Sequence, residues 1–301
     1  ITATDLEITS GGALILGHLL DLSNDLLITD GTLDLGTGNA DVERDVIVTA
    51  TTGNLDMSSV ATPMQVGRNF TVAGSLVDGG ALLFDGGTAG NGTFSMPAGG
   101  ATVGAITLNN TGDTLSLTGG GTLTSSQVTL TAGTFDLQSS TTFGSTGTTT
   151  INAGSTLSSS TASLTHTFND GVGSASLTMN DGTFSFTAAS DLVFEQGDTA
   201  TVSAGNFTLN GPTLRDADAV PGNGVRWNLN IATGVTTSLQ SLTISDSDTT
   251  GGTQTPLVAS ATPGANITNS LGWIAGNRWL GVSNDWSAGG NWSGGAAPAG
   301  M

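Results

Sequence analysis

Residues 26–35 read Leu-Leu-Ile-Thr-Asp-Gly-Thr-Leu-Asp-Leu, and this stretch decides the fold. Leu26 and Ile28 are apolar with one position between them, Leu33 and Leu35 repeat the arrangement, and a short polar linker containing Gly31 joins the two. Alternation over so few residues puts every second side chain on one face of an extended chain, the pattern of a short strand with one buried side. The phrase is already present as Leu6-Glu-Ile8 with Leu14-Ile-Leu16, and it returns as Val46-Ile-Val48 with Leu55-Asp-Met57. Phe70-Thr-Val72 with Leu82-Leu-Phe84, Ile106-Thr-Leu108 with Leu115-Ser-Leu117, Val128-Thr-Leu130 with Phe135-Asp-Leu137, and Leu177-Thr-Met179 with Phe184-Ser-Phe186 continue it.

The spacing between equivalent positions says how these strands are arranged. Ile8, Ile28 and Val48 stand 20 residues apart, Val48 and Val72 stand 24 apart, and Leu108, Leu130 and Ile151 follow at 22 and 21. A fixed phrase at such a period is one supersecondary unit per repeat, stacked on its neighbours. An antiparallel sandwich is the structural rival, but it would show hairpin dipeptides between strands of differing character. The reading is therefore all-β: a single elongated, right-handed parallel β-helix (β-solenoid) with coils of about 20–24 residues. At a strand spacing of about 4.8 Å, ten to twelve coils span roughly 50 to 58 Å. The repeat is expected over residues 1–244, with loops leaving it near 86–103 and 211–224, where Gly- and Pro-rich sequence replaces alternation. Residues 245–272 read as a terminal coil and linker, and 273–301 as a Trp-rich junction that starts a further module.

Composition narrows the chemistry. The chain has 301 residues, 46 Gly, no Cys, no Tyr, and 24 acidic residues against 5 Lys and Arg, all of them Arg, for a net charge of −19. Without a basic stripe, nucleic acid and anionic membranes are excluded as partners on electrostatic grounds. No Cys means no disulfide and no thiolate metal site. No apolar run reaches the length of a membrane span. Ile1 opens inside strand-like sequence and Met301 falls inside a motif, so both ends read as cuts in a longer polypeptide, with any export signal upstream. Further coils of that polypeptide, or a second copy stacked end to end, are the expected partners at the strand edges.

Most Asp residues sit beside Gly, Asn, Ser or Thr, where a short carboxylate bonds its own local backbone in a turn. Calcium is the one cofactor the acidity admits. Asp216 and Asp218 with Asn223, and Asp246 with Asp248, present alternate oxygen ligands near Gly, although neither set matches a helix–loop site or a nonapeptide calcium roll. Catalytic equipment is sparse. His18 and His166 are isolated from any Ser and Asp that would complete a triad. A uronate lyase would need a basic residue beside bound calcium, and a glycosidase needs two carboxylates flanking a cleft. The expected role is non-catalytic.

All five Trp lie between Trp227 and Trp292. The phrase Ser-Asp-Ser-Asp at 245–248, followed by Gly251-Gly252 and Gly272-Trp273, leads into Trp279, Gly281, Asp285-Trp286, Asn291-Trp292-Ser293, Gly295 and Pro298. Together with the coils, this resembles segments of giant repetitive bacterial surface proteins of the autotransporter and filamentous-haemagglutinin type, in which a Trp motif marks the junction to another β-helical block. The resemblance implies an extracellular location at the bacterial surface and a structural or adhesive role. In an adhesin, Trp279, Trp286 and Trp292 would stack on the apolar faces of glycan rings. In a junction, they fill a small core of their own.

Overall fold

The computed structural model describes residues 1–275 apart from 10, 50–51, 61, 78–79, 87–89, 139–140, 169–174, 218–224, 255–256 and 260–265. Among the described residues there is no helix, and parallel strands stack as a β-solenoid of about ten turns. The chain divides into two compact units, Ile1–Ser159 and Ser160–Met301.

In the first unit each coil has three faces, where the sequence phrase suggested two. The first face carries Leu20–Leu22, Ala40–Val42, Met64–Val66 and Leu82–Phe84, the second Leu26–Ile28, Val46–Val48, Phe70–Val72 and Gly92–Met96, and the third Gly12–Ile15, Gly31–Asp34, Gly53–Asp56 and Ser75–Val77. The spacings read from the sequence are strand registers. Ile8 pairs with Ile28, Ile28 with Val48 and Val48 with Val72 on the second face, and Leu108 pairs with Leu130 and Leu130 with Ile151 on the first. Farther along, Ala101–Gly119 and Gly121–Leu137 run as strand through all three faces.

Inward positions form apolar ladders. Leu26, Val46, Phe70 and Phe94 stack along the second face with no exposure, and Leu20, Ala40, Met64, Leu82, Ile106 and Val128 along the first. Burying a Leu or Phe contributes about 1.5 to 3 kcal/mol, so each coil contributes to its own cohesion chiefly through these ladders. The corner between the second and third faces requires glycine. Gly31 has φ +112, and a Cβ there would lie 2.3 Å from the carbonyl oxygen of Gly12 in the preceding coil.

The span 86–103, expected as a loop, contains the strand Gly92–Met96, which pairs with the next coil from Gly92–Leu115 to Met96–Gly119. Gly92 occupies an inward slot there and leaves Phe94 and Met96 as the only apolar signal. The span 211–224 likewise contains the strand Thr213–Asp216, whose inward residues are Leu214 and Asp216; an inward acid breaks the pattern a reader looks for.

The second unit repeats the three faces with longer coils than the expected 20–24. His166 pairs with Leu192, 26 residues on, and Leu214 with Ile244, 30 residues on. Its third face holds Thr165–Phe168, Asp191–Phe194, Thr213–Asp216, Thr243–Ser245 and Asn266–Thr268. Aromatic rings fill its core: Phe184 stacks on Phe207 at 5.2 Å, and Phe194 on Trp227 at 4.3 Å. Trp273–Ala275 pairs in parallel with Leu257–Ala259, which joins the first residues of the expected junction to the coils.

Candidate functional site

The polar feature that the fold assembles most completely is the corner between the first and second faces of unit 1. Asp5, Asp25, Asp45 and Asn69 occupy the same place in successive coils. The backbone N–H of Asp25 donates to Asp5 Oδ1 at 3.1 Å, that of Asp45 to Asp25 Oδ1 at 3.2 Å, and that of Asn69 to Asp45 Oδ1 at 3.3 Å. Thr93 continues the series, its N–H donating to Asn69 Oδ1 at 2.8 Å. Each side chain thus satisfies a donor of the next coil that the corner would otherwise leave without a strand partner.

Arginine reinforces this ladder where it is most buried. Arg68 grips Asp45 with two bonds, Nε to Oδ1 at 2.8 Å and Nη2 to Oδ2, a bidentate pair of the strong charge-assisted type. Burial alone would raise the Asp45 carboxyl. The hydrogen bonds and charge of Arg68, with the two bonds from Asn69, outweigh it and hold the group below its ordinary 3.8. Arg44 donates to Asn24 Oδ1 and lies 3.9 Å from Asp25, while Asn24 donates to Asp5 at 2.7 Å. On the first face beside this corner, Asp21 and Asp41 are register partners. Burial, then the charges of Glu43, Asp85 and Asp21, push the Asp41 carboxyl above 3.8. The sequence reading took these acids as turn residues serving their own backbone. The signal for their true role was their fixed place immediately before Leu6, Leu26 and Val46.

The expected calcium ligands do not meet at one point. Asp216 is buried at the end of its strand, in register with Phe194. Asp246 is also buried, at φ +53, and accepts a hydrogen bond from Asn269 Nδ2. Asp248 is half-buried and its Oδ1 accepts from the Thr250 N–H at 2.8 Å and hydroxyl at 2.6 Å, a closed local turn. Asp218 and Asn223 lie outside the described residues, as do Trp279, Trp286 and Trp292. Among the described residues no group of three or more His, Asp or Glu is arranged to hold a metal ion.

The two histidines part company. His18 is exposed, whereas His166 is fully buried, edge-on to Phe186 at 5.3 Å, and burial holds its imidazole down to about 4. One opening breaks the regular wall of unit 1. The third-face sheet ends at Ser75–Val77, and the next third-face segment, from Ala101, pairs onward with Leu123. A cleft of about 390 Å³ lies there, lined by Leu76, Gly100, Ala101, Thr102 and Thr122. Comparison of the chain with known families, with characterised proteins and with solved structures gives no match.

Proposed function

We propose that this chain is a non-catalytic structural segment of a large secreted bacterial surface protein, one length of an extracellular fibre, sheath or stalk. The observation that carries the reading is coil-on-coil register. Leu6, Leu26, Val46, Phe70, Phe94 and Leu117 form one uninterrupted ladder, each residue paired to its equivalent in the next coil. A fold of this kind gains stability from nearest neighbours and extends without limit by adding coils, which suits a spacer better than a pocket. The corner ladder adds to this, because its polar groups are spent on holding coils to each other. The resemblance of the Trp279–Pro298 motif to module junctions supports further β-helical blocks of the same chain as the partners.

Electron microscopy of native cell-surface material, labelled with an antibody raised against this chain, tests the proposal. Labelled filaments or a sheath are expected. A compact, unassembled antigen would count against it, and so would depolymerisation of a polysaccharide by the purified chain. Glycan binding lost in Trp286→Ala or Trp292→Ala would move the reading to an adhesin.

A further inference from the structure

His166 lies on Thr165–Phe168, the first third-face strand of unit 2, and no part of its side chain is exposed. Leu192 is its register partner in the next coil, and Phe186 stands against its ring at an interplanar angle of 65°. Neither Nδ1 nor Nε2 has a hydrogen-bond partner. A neutral imidazole can occupy such a place at the cost of unmade hydrogen bonds. An imidazolium, with two N–H donors and a full charge, is far more costly to bury.

Nothing charged offsets that cost. On the adjacent strand, Asp191 is turned outward and pairs with Arg215 at 3.3 Å. Glu195 and Asp198 follow that strand, and Asp181 is exposed in the turn of Ala175–Phe186. None of them influences the imidazole, on which burial acts alone.

We propose that His166 makes this coil an acid-release element: proton uptake by the buried imidazole frees Thr165–Phe168 from Asp191–Phe194. The direction follows from linkage. The folded value, about 4, lies below the ordinary 6.5, so the stability is complete above pH 6.5 and declines as the pH falls toward 4. Over that window the opening equilibrium shifts by up to about 300-fold.

Amide hydrogen exchange on the intact chain tests this, with protection factors corrected for intrinsic rates at pH 7, 5.5 and 4.5. Protection of 165–168 and 191–194 is expected to fall by up to about 100-fold by pH 4.5, and His166→Leu should abolish that dependence. The same fall in His166→Leu, or constant protection in the unaltered chain, overturns the proposal. Should His166→Leu not fold, ring-proton resonances of the unaltered chain decide. There are two histidines to assign. A His166 ring that stays neutral through pH 5 while its strand is closed supports the element. Protonation near pH 6.5 with the strand still protected refutes it.

Discussion

Phe94→Ala is the most direct perturbation of the ladder that defines the fold. Phe94 is fully buried, pairs in register with Phe70 and Leu117, and holds two aromatic contacts, edge-on to Phe70 at 5.3 Å and tilted to Phe84 at 5.7 Å. Truncation removes the transfer energy of the ring and leaves a cavity, about 3 to 5 kcal/mol for a buried Phe. The upper part of that range applies, because the two ring contacts are worth about 0.5 to 1.5 kcal/mol each beyond area and the paired backbones limit collapse of the cavity. Thr71→Ala, on the same face but directed outward, should stay within about 0.5 kcal/mol. Urea unfolding gives the two losses, and hydrogen exchange gives their reach. In a stack governed by nearest neighbours, loosening should centre on the coils of Phe70 and Leu117 and fade by the coil of Leu26. A loss under about 1 kcal/mol, against the cost expected for a buried ring, would refute the ladder argument. So would loosening spread evenly to Leu26.

Other expectations follow from the corners. Asp45→Ala should destabilise unit 1 more than Asp45→Asn, since an Asn at the equivalent place, Asn69, already accepts the N–H of the next coil; chemical denaturation of both variants checks this. Arg68→Ala should cost on the order of 1 kcal/mol at neutral pH, a charge-assisted bond discounted for its partial exposure. Because the folded Asp45 carboxyl lies below 3.8, that contribution is present above pH 3.8 and is lost as the pH falls through the folded value, so an acid titration of stability should show it in the parent and not in Arg68→Ala. Gly31→Ala should cost more than about 1 kcal/mol, from positive φ together with collision with the Gly12 carbonyl, and thermal melting reads it. Melting curves in calcium and in chelator are expected to coincide, because Asn269 and Thr250 already engage Asp246 and Asp248; a calcium-dependent rise abolished by Asp248→Asn would assign a site there.

Much of the fold was legible in the sequence because the dominant signal, alternation at a fixed period, reports on the backbone itself. Ile8, Ile28, Val48 and Val72 are spaced as their registers are. The third face was less legible because its inward slots are not uniformly apolar. Ser125 and Ser145 point inward and close bonds to the carbonyls of Gln127 and Gly147, two residues on in each case, so a polar letter marks a core position. Asp216, Asp246 and His166 mislead in the same way in unit 2. The corner ladder was hidden for a different reason. An Asp in a turn can bond its own backbone or a coil about twenty residues away, and composition does not distinguish the two.

The end of the third-face sheet at Ser75–Val77 has a consequence for tension. Backbone hydrogen bonds in unit 1 run from coil to coil, so a pull along the stacking direction loads the coil–coil junctions in series and the faces within each junction in parallel. The junction from Met64, Phe70 and Ser75 back to the preceding coil is laced on three faces, as is the one from Phe94, Ala101 and Ile106 onward. Between them, among the described residues, only Phe70–Phe94 and Leu82–Ile106 are laced. Load is shared equally along a series, so the first rupture comes where the fewest bonds share it. Under stretch, unit 1 should part at this seam, leaving intact blocks of coils on either side.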